Sequence, residues 1–251
     1  MLIDTHAHLT MSPLAENLSA VLARAHEAGV TKIVVPGTGI EDSKASLALM
    51  AHEGVYGVIG IHPSDAHTFD AEAEARFLQL LARKPVAIGE VGLDYYHTKE
   101  HEAEQKRVFA RMIGLAKEAG LPLIIHTRDA FADAYTMLRD LAPGHPTVIH
   151  CFTGTAEEAS AWLELGCMLS VTGIITYKKS EELRQVIQDI PLERLMIETD
   201  APFLAPEGFR NRPCEPMDVG EVAKKLAEIQ GVSVEEVARV TTANAQAFFK
   251  I

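Results

Sequence analysis

Six side chains able to bind a metal ion are spread along this sequence, each at the end of a short apolar run or directly after it. These residues are His6, His8, Glu90, His126, His150 and Asp200. Imidazole nitrogens and carboxylate oxygens are the donors that zinc, manganese and similar divalent ions accept. Two of the histidines, His6 and His8, lie two positions apart, so a strand would point both side chains to the same side.

Taken one at a time, these residues have ordinary structural explanations. A single His-x-His pair is typical of chance or of core packing, a strand-end histidine often makes only a hydrogen bond, and a buried Glu or Asp often caps a helix. Burying all of them together without a metal would be costly, because ionisable groups lose their hydration there. The set as a whole therefore predicts a metal site.

The elements that must position these residues repeat along the chain as a short apolar run, a polar turn and a stretch of helical periodicity. The apolar runs, rich in Val, Ile and Leu as in strands buried on both faces, cover residues 2–6, 32–36, 57–61, 86–90, 122–126, 147–150, 168–171 and 195–199. Helical periodicity covers residues 14–28, 41–53, 70–83, 100–119, 129–141, 156–165, 180–188, 216–230 and 234–249. Eight strands alternating with helices predict parallel βαβ units.

Local signals support several helix boundaries. Thr155 with Glu158, and Ser233 with Glu236, match the capping-box pattern. Three glycines stand where C-terminal caps are expected, just before a new strand: Gly29, Gly120 and Gly166.

Two architectures use this alternation, the closed (β/α)₈ barrel and the open doubly wound sheet. No glycine-rich nucleotide-binding loop follows any strand, which disfavours the doubly wound nucleotide-binding folds. The chain has 251 residues, and a (β/α)₈ barrel needs about 250. We therefore expect one α/β domain over residues 1–251, a (β/α)₈ barrel. Because barrel active sites lie at the C-terminal ends of the strands, the six candidate ligands would meet there.

Composition narrows the class of protein. Hydrophobic residues make up 47% of the chain, and no run approaches the roughly 18 apolar residues of a membrane span. The three cysteines lie far apart and the N-terminus lacks the pattern of a signal peptide, so we expect a reducing, cytoplasmic location. The net charge of −12 argues against a protein that coats nucleic acid electrostatically. It does not exclude a nuclease, since bound divalent ions would return positive charge at the site itself.

Motifs that follow one another along nearly the whole chain resemble the TatD-related hydrolases. They are Thr5-His6-Ala7-His8-Leu9, Gly60-Ile61-His62-Pro63, Gly89-Glu90-Val91-Gly92-Leu93-Asp94-Tyr95, His126-Thr127-Arg128, His150-Cys151-Phe152-Thr153-Gly154, Glu198-Thr199-Asp200-Ala201-Pro202 and the tail Thr-Thr-Ala-Asn-Ala at residues 241–245. The family consists of barrel-fold, metal-dependent enzymes often described as deoxyribonucleases. One departure is Pro213-Cys214 where the family often reads Arg-Asn, which puts in doubt any substrate contact made by those two positions.

The resemblance implies two divalent ions, zinc, magnesium or manganese, bridged by the carboxylate of Glu90. One ion would be bound by His6, His8 and Asp200, and the other by His126 and His150. Two such ions lower the pKa of a shared water and hold the oxygens of a phosphodiester.

Catalytic and substrate-binding roles are predicted for residues at the same end of the barrel. Asp200 would orient the water and accept its proton, and His62 would contact a phosphate oxygen, unless it only hydrogen-bonds a loop. Arg128 would bind a phosphate through two hydrogen bonds, with a surface ion pair as the alternative. Tyr95 would contact substrate, and Glu198 would support a ligand rather than bind metal.

Aromatic and basic residues are predicted on the same loops. They are Tyr95, Tyr96, Phe152, Tyr177, Phe203 and Phe209, with Arg128, Lys178, Lys179, Arg210 and Arg212. Aromatic faces beside positive charge suit single-stranded nucleic acid, although the aromatics could instead pack the loops onto the barrel. Six histidines outside the motifs are predicted to be solvated: His26, His52, His67, His97, His101 and His145.

The leading functional hypothesis is a phosphodiesterase acting on the ends of single-stranded DNA or RNA, with no membrane association and no obligate protein partner. An amide or ester hydrolase, such as a deacylase of misacylated tRNA, is the alternative. Relatives with that chemistry often bridge their metals with a modified lysine on strand 4, whereas this chain has Glu90 there. A non-catalytic, metal-binding barrel is a third hypothesis, but it leaves His62 and the basic loop residues without a purpose.

Overall fold

The chain folds into a closed barrel of eight parallel strands, seen in a computed structural model that describes all residues from 1 to 251. The strands are β1 (Leu2–Asp4), β2 (Val30–Val35), β3 (Val55–Gly57), β4 (Ile88–Asp94), β5 (Leu123–Arg128), β6 (Thr147–Ile149), β7 (Met168–Val171) and β8 (Leu195–Ile197). They form a three-stranded sheet, β1 to β3, and a five-stranded sheet, β4 to β8.

Main-chain hydrogen bonds join the two sheets along both edges. At one seam the Gly89 N–H donates to the Ile59 carbonyl oxygen at 2.8 Å. At the other seam, just past the ends of β1 and β8, the His8 N–H donates to the Ala201 carbonyl oxygen at 2.7 Å. Because both seams are closed, the architecture is the predicted (β/α)₈ barrel.

Helices alternate with the strands and two further helices follow β8. They are α1 (Leu18–Glu27), α2 (Ile40–Leu49), α3 (Ala71–Leu81), α4 (Glu102–Ala119), α5 (Phe131–Leu141), α6 (Ala156–Glu164), α7 (Glu181–Gln188), α8 (Val219–Gln230) and α9 (Val234–Phe249). Every predicted helix is present, with ends within a few residues of those expected. The largest differences, of four residues, lie at the start of α1 and the end of α2. At the starts of α1 and α8, short 3₁₀ turns (Ala15–Asn17 and Pro216–Asp218) precede the helix.

The predicted caps are largely confirmed. At α6, Thr155 and Glu158 exchange both bonds of a capping box. At α9, the Ser233 hydroxyl accepts from the Glu236 N–H at 3.1 Å, but the Glu236 carboxylate accepts from Arg239 instead of closing the box. Gly120 ends α4 in the left-handed region, with φ of 66°.

Strand β4 continues to Asp94, four residues beyond its predicted end at Glu90, and β5 likewise continues past His126. The extension depends on Gly92, which pairs with His126 and has a φ of 143°. A Cβ at position 92 would lie 1.9 Å from the His126 carbonyl oxygen, so only glycine fits there. The prediction that Glu90 and His126 close their strands was therefore wrong, because both lie within a paired ladder.

The tail motif at residues 241–245 has a structural place on α9. The Asn244 amide donates to the carbonyl oxygens of Leu192 and Leu195, at 2.9 and 2.8 Å, and so ties the last helix to the start of β8. That residues 1–251 fold as one domain stays a prediction. None of the helices has both the length and the apolar character needed to span a membrane.

Candidate metal centre

Glu90 lies at the middle of the candidate site, with a different set of histidines facing each of its carboxylate oxygens. Its Oε2 lies 3.4 Å from His6 Nε2 and 3.7 Å from His8 Nε2. Its Oε1 lies 2.8 Å from His126 Nδ1 and 3.7 Å from His150 Nε2. The barrel thus brings four histidines, distant along the chain, around one buried carboxylate.

Asp200 completes the side of the site that contains His6 and His8. Its Oδ1 lies 3.3 Å from His8 Nε2 and 3.8 Å from His6 Nε2. The barrel seam fixes this arrangement, since the Asp200 N–H donates to the His6 carbonyl oxygen at 2.9 Å. Asp200 has a φ of 59°, an uncommon value for a residue with a side chain and one that clusters at functional sites.

The donor set fits divalent cations. The Nε2 atoms of His6 and His8 face each other at 3.3 Å, and their buried Nδ1 atoms have no hydrogen-bond partner. Two facing imidazole nitrogens beside two carboxylates leave lone pairs directed at a shared point, which is the arrangement that a metal ion satisfies. The potential ligand atoms of His6, His8 and Asp200 lie within 4.8 Å of one another, as do those of His6, Glu90 and His150.

The charges of these groups depend on one another. Burial alone would raise the pKa of Glu90, but the charge of His150 and a hydrogen bond from His126 hold it well below its usual value. Burial likewise opposes ionisation of Asp200, yet hydrogen bonding to His8 lowers its pKa overall. Burial lowers the pKa of His126, but hydrogen bonds to Asp94 and Glu90 raise it to about 9. Both carboxylates are therefore ionised at neutral pH.

His62 lies beside the centre with its Nε2 3.9 Å from Glu90 Oε1. Its Nδ1 accepts a hydrogen bond from the Ser64 N–H at 3.2 Å, so in the neutral ring the proton is on Nε2. Burial lowers the pKa of His62 to about 4, which keeps the ring neutral at pH 7. His62 therefore presents an N–H donor to the cavity rather than a lone pair for a metal.

Two carboxylates lie beside the histidines that face Oε1 of Glu90, which are His126 and His150. Glu198 Oε1 lies 2.7 Å from His150 Nδ1 and accepts a hydrogen bond from the Cys151 N–H, which is the supporting position predicted for Glu198. Asp94 Oδ2 lies 3.0 Å from His126 Nε2, a contact that was not among the predictions. The signal was available in the Gly-Leu-Asp-Tyr motif, but Asp94 was missed because β4 was expected to end at Glu90.

His97, which was predicted to be solvated, is exposed, but it also contacts a residue of the site. Its Nδ1 lies 2.8 Å from Asp94 Oδ2, and although half of its side chain is exposed, it lines the cavity above the metal centre. The extension of β4 to Asp94 places His97 at this end of the barrel.

A cavity of about 1320 Å³ opens over the centre. His62, Glu90, Asp94, His126, His150 and Asp200 line its floor, and Phe131, Phe152, Trp162, Phe203 and Leu204 form apolar walls. His6 is fully buried beneath them.

Of the residues predicted to contact substrate, Arg128 lines the cavity and Tyr95 does not. Arg128 lines the cavity, with its guanidinium 4.0 Å from the ring centre of the exposed Tyr96. Tyr95 does not line the cavity, because its hydroxyl donates to Asp133 at 2.7 Å on the outer side of the barrel. The prediction that Tyr95 contacts substrate is therefore corrected, and Tyr96 is the tyrosine beside Arg128.

The basic residues expected around the site are mostly elsewhere. Arg212 forms a bidentate ion pair with Asp218, and Arg210 lies over the ring of Tyr177. Among arginines and lysines only Arg128 lines the cavity. Cys214 is buried and all three cysteines are free, so no disulfide constrains these loops.

The barrel, its central carboxylate and its histidine ligands define a metal-dependent hydrolase, and comparisons with known proteins agree. The family described as TatD related DNase matches residues 3–250. The chain is 41% identical, over the full length of both proteins, to the uncharacterized metal-dependent hydrolase YabD of Bacillus subtilis. It is 34% identical, over 100% of this chain and 99% of the other, to the 3'-5' ssDNA/RNA exonuclease TatD of Shigella flexneri.

Solved structures show the same fold. The crystal structure of the TatD homolog YJJV from Escherichia coli superposes with a TM-score of 0.93 at 33% identity, covering 100% of this chain and 98% of the other. A TatD family hydrolase from Entamoeba histolytica gives 0.89 at 26% identity, covering 98% and 97%. The chain belongs to the TatD related DNase family and is a divalent-metal-dependent hydrolase.

Proposed function

We propose that this protein hydrolyses phosphodiester bonds at the ends of single-stranded DNA or RNA, with water activated by two divalent ions. The observation that carries the proposal is that the two carboxylate oxygens of Glu90 face separate groups of histidines. The ion beside Oε2 would be held by His6, His8 and Asp200. The ion beside Oε1 would be held by His126 and His150.

When bound, such a pair of ions supplies positive charge and a nucleophilic water to an in-line displacement. Zinc and manganese suit this donor set better than magnesium, because four of its six side chains are imidazoles. The imidazoles of His6 and His150 stack at 3.6 Å, which restricts how either ring can turn. These two rings are therefore held in place before any ion binds.

Asp200 is the proton acceptor in this proposal. Its side chain is 15% exposed, compared with 4% for Glu90, so it is the more accessible of the two carboxylates at the floor of the cavity. With its pKa lowered by His8, it is ionised at neutral pH and can accept a proton from water at its free oxygen.

His62 and Arg128 contact the phosphates. The neutral His62 ring donates its Nε2–H to a non-bridging oxygen of the scissile phosphate, and the charge on that oxygen grows in the transition state. Arg128 binds the next phosphate along the strand through its planar guanidinium.

The charge of the cavity favours strand ends over continuous strands. Arg128 is the one lysine or arginine on its lining, while Asp65, Asp129 and Glu158 also line it. A protein that tracks a nucleic acid backbone needs a groove with many positive charges. The relative from Shigella flexneri is named as an exonuclease, which supports the same choice.

The test compares substrates at several metals. Turnover is measured on linear single-stranded DNA, circular single-stranded DNA of the same sequence, an aryl phosphodiester and an aminoacyl ester, each with zinc, manganese or magnesium. We expect cleavage of the linear strand and the aryl diester but not of the circle. Hydrolysis of the aminoacyl ester alone would replace this proposal with the deacylase alternative. Glu193→Gln, an exposed carboxylate far from the cavity, is the matched control for variants of Glu90.

The cytoplasmic location and the absence of an obligate protein partner remain predictions. Fractionation of cells that express the tagged full-length chain would test the first, and the mass of the purified native protein would test the second.

A further inference from the structure

We propose that Asp94 is a positioning residue that selects which ring nitrogen of His126 faces the metal centre. The His126 ring lies between two carboxylates, with Nδ1 2.8 Å from Glu90 Oε1 and Nε2 3.0 Å from Asp94 Oδ2. To bind a metal, His126 must lose one proton; the neutral imidazole then has one N–H and one lone pair, and an ionised carboxylate only accepts. With Asp94 accepting the Nε2–H, the lone pair of Nδ1 is directed at the centre.

Asp94 is held in place firmly enough to impose this choice. Its side chain is 1% exposed, and its Oδ1 accepts from the N–H groups of Tyr96 and His97, at 3.0 and 2.8 Å. The side chain of Gln105 hydrogen-bonds both the N–H and the carbonyl oxygen of Asp94. The carboxylate therefore cannot turn away from His126 without breaking its hydrogen bonds to the N–H groups of Tyr96 and His97, while Gln105 holds the main chain of Asp94 in place.

The opposite arrangement occurs at His150. There Glu198 Oε1 lies 2.7 Å from Nδ1, which leaves Nε2 facing Glu90 and Asp200. The two histidines that face Oε1 of Glu90 thus present different nitrogens to the centre, and each has a carboxylate within 3.0 Å of its other nitrogen, although only the Asp94–His126 contact has hydrogen-bond geometry. Partners of this kind orient metal ligands, and removing one typically lowers metal affinity by about 10–100-fold.

Asparagine at position 94 would reverse the choice at His126. Its amide oxygen would still accept the hydrogen bonds from the N–H groups of Tyr96 and His97, so its NH₂ group would face His126 Nε2. A donor facing Nε2 favours the other tautomer, in which the proton lies on Nδ1 and the lone pair no longer points at Glu90. The substitution preserves volume and therefore tests hydrogen-bond polarity rather than packing.

The experiment titrates zinc into the metal-stripped, full-length protein by calorimetry. This inference rests on the proposed two-ion centre but not on its substrate. For wild type we expect two zinc ions per chain. For Asp94→Asn we expect one ion at unchanged affinity and the other weakened about 10–100-fold. His97→Ala, which removes another contact of Asp94 but leaves His126 paired, is the control and should bind both ions as wild type does.

A second measurement needs no variant. Nitrogen-15 NMR of the histidine-labelled, zinc-loaded wild type should show a proton on Nε2 of His126 and on Nδ1 of His150. A proton on Nδ1 of His126, or an Asp94→Asn variant that binds both ions with wild-type affinity, would overturn the role of Asp94. Failure of the wild type to bind a second ion would instead overturn the two-ion centre of the proposed function.

Discussion

The two ends of the barrel interior are built from opposite kinds of residue. Toward the N-terminal ends of the strands the interior is an apolar cluster closed by α9, made of Ile3, Val34, Val58, Ala87, Ile124, Val148, Met196, Ala245 and Phe249. Toward the C-terminal ends, a few residues further along the same strands, lie Glu90, the histidines and Asp200. Exposure of the apolar end to water would lower the stability of the fold. The end that contains Glu90 instead needs its buried charges to be paired.

The difference shows how one short barrel separates stability from chemistry. Apolar packing at the closed end needs no partner from outside the chain. The open end, at the C-terminal ends of the strands, instead has four imidazoles around one carboxylate. Its backbone includes residues in the uncommon left-handed region, such as Cys151 and Asp200. We expect substitutions at the open end to change metal binding and turnover, and substitutions at the closed end to change the free energy of unfolding.

The largest expected effect follows from Glu90→Gln. The amide keeps the shape of the side chain but removes the charge that faces both groups of histidines, so bound metal should be lost. Turnover should fall by about a thousandfold or more, because the ions provide several kcal/mol of transition-state stabilisation. Metal content by elemental analysis and single-turnover rates check this. Wild-type metal content in the variant would show that the charge of Glu90 does not organise the open end.

Phe249→Ala tests the closed end. Phe249 is 3% exposed within the apolar cluster, and its truncation should lower the free energy of unfolding by about 3–5 kcal/mol. Urea unfolding checks this, with exposed Arg239→Ala on the same helix as the control, for which a change below about 1 kcal/mol is expected. The activity per folded molecule should stay at the wild-type value. A large loss of activity at urea concentrations below the unfolding transition would contradict the separation of the two ends.

His62→Ala should reduce turnover by about 100-fold, the usual effect of losing one transition-state hydrogen-bond donor. Metal content should not change, since His62 directs an N–H rather than a lone pair into the cavity. His62→Gln, whose amide can also donate, should recover part of the rate. His67→Ala is the control, because His67 is an exposed histidine in the 3₁₀ turn Pro63–Thr68 that directly follows His62. Loss of a metal ion in His62→Ala would make His62 a ligand instead of a donor.

The smallest expected effect is a dependence of metal binding on pH. In the metal-free protein, burial lowers the pKa of His150, but the charges of Glu198 and Glu90 raise it to about 10, while that of His126 is about 9. Both rings are then protonated at pH 7.5, so binding two ions should release roughly two protons. Calorimetry in buffers with different ionisation enthalpies measures this number, and zero release would contradict the assigned ligands.

The same pKa values set how the stability of the metal-free protein varies with pH. Both folded-state values lie above the unfolded value of 6.5. The contribution of the histidine–carboxylate pairs is therefore complete below pH 6.5 and is lost as the pH rises through about 9 to 10. With metal bound, this loss of stability at high pH should be absent. One pH titration therefore distinguishes the contribution of the open end to stability from that of the closed end.

Much of the fold and the candidate ligand set could be predicted from the sequence, because both depend on local patterns. Apolar runs and helical periodicity located seven of the eight strands and all nine helices, since burial on both faces leaves a continuous apolar signature. The run at 57–61 shares only Gly57 with β3. All six candidate ligands were predicted to lie together because residues at the C-terminal ends of parallel strands meet in a barrel. The resemblance of the motifs to one family, confirmed by the comparisons, added the division of the ligands between two ions and the bridging place of Glu90.

The tertiary structure decided what depends on contacts between distant residues. Strand β4 reaches Asp94 because Gly92 allows close pairing with β5, and only that extension brings Asp94 to His126. Tyr95 points to Asp133 on a neighbouring helix. The nitrogen that a histidine presents is set by the partner of its other nitrogen, and for His126 that partner, Asp94, is more than thirty residues away. Sequence periodicity predicts which face a side chain occupies, whereas hydrogen-bond geometry between separate strands determines what it can bind.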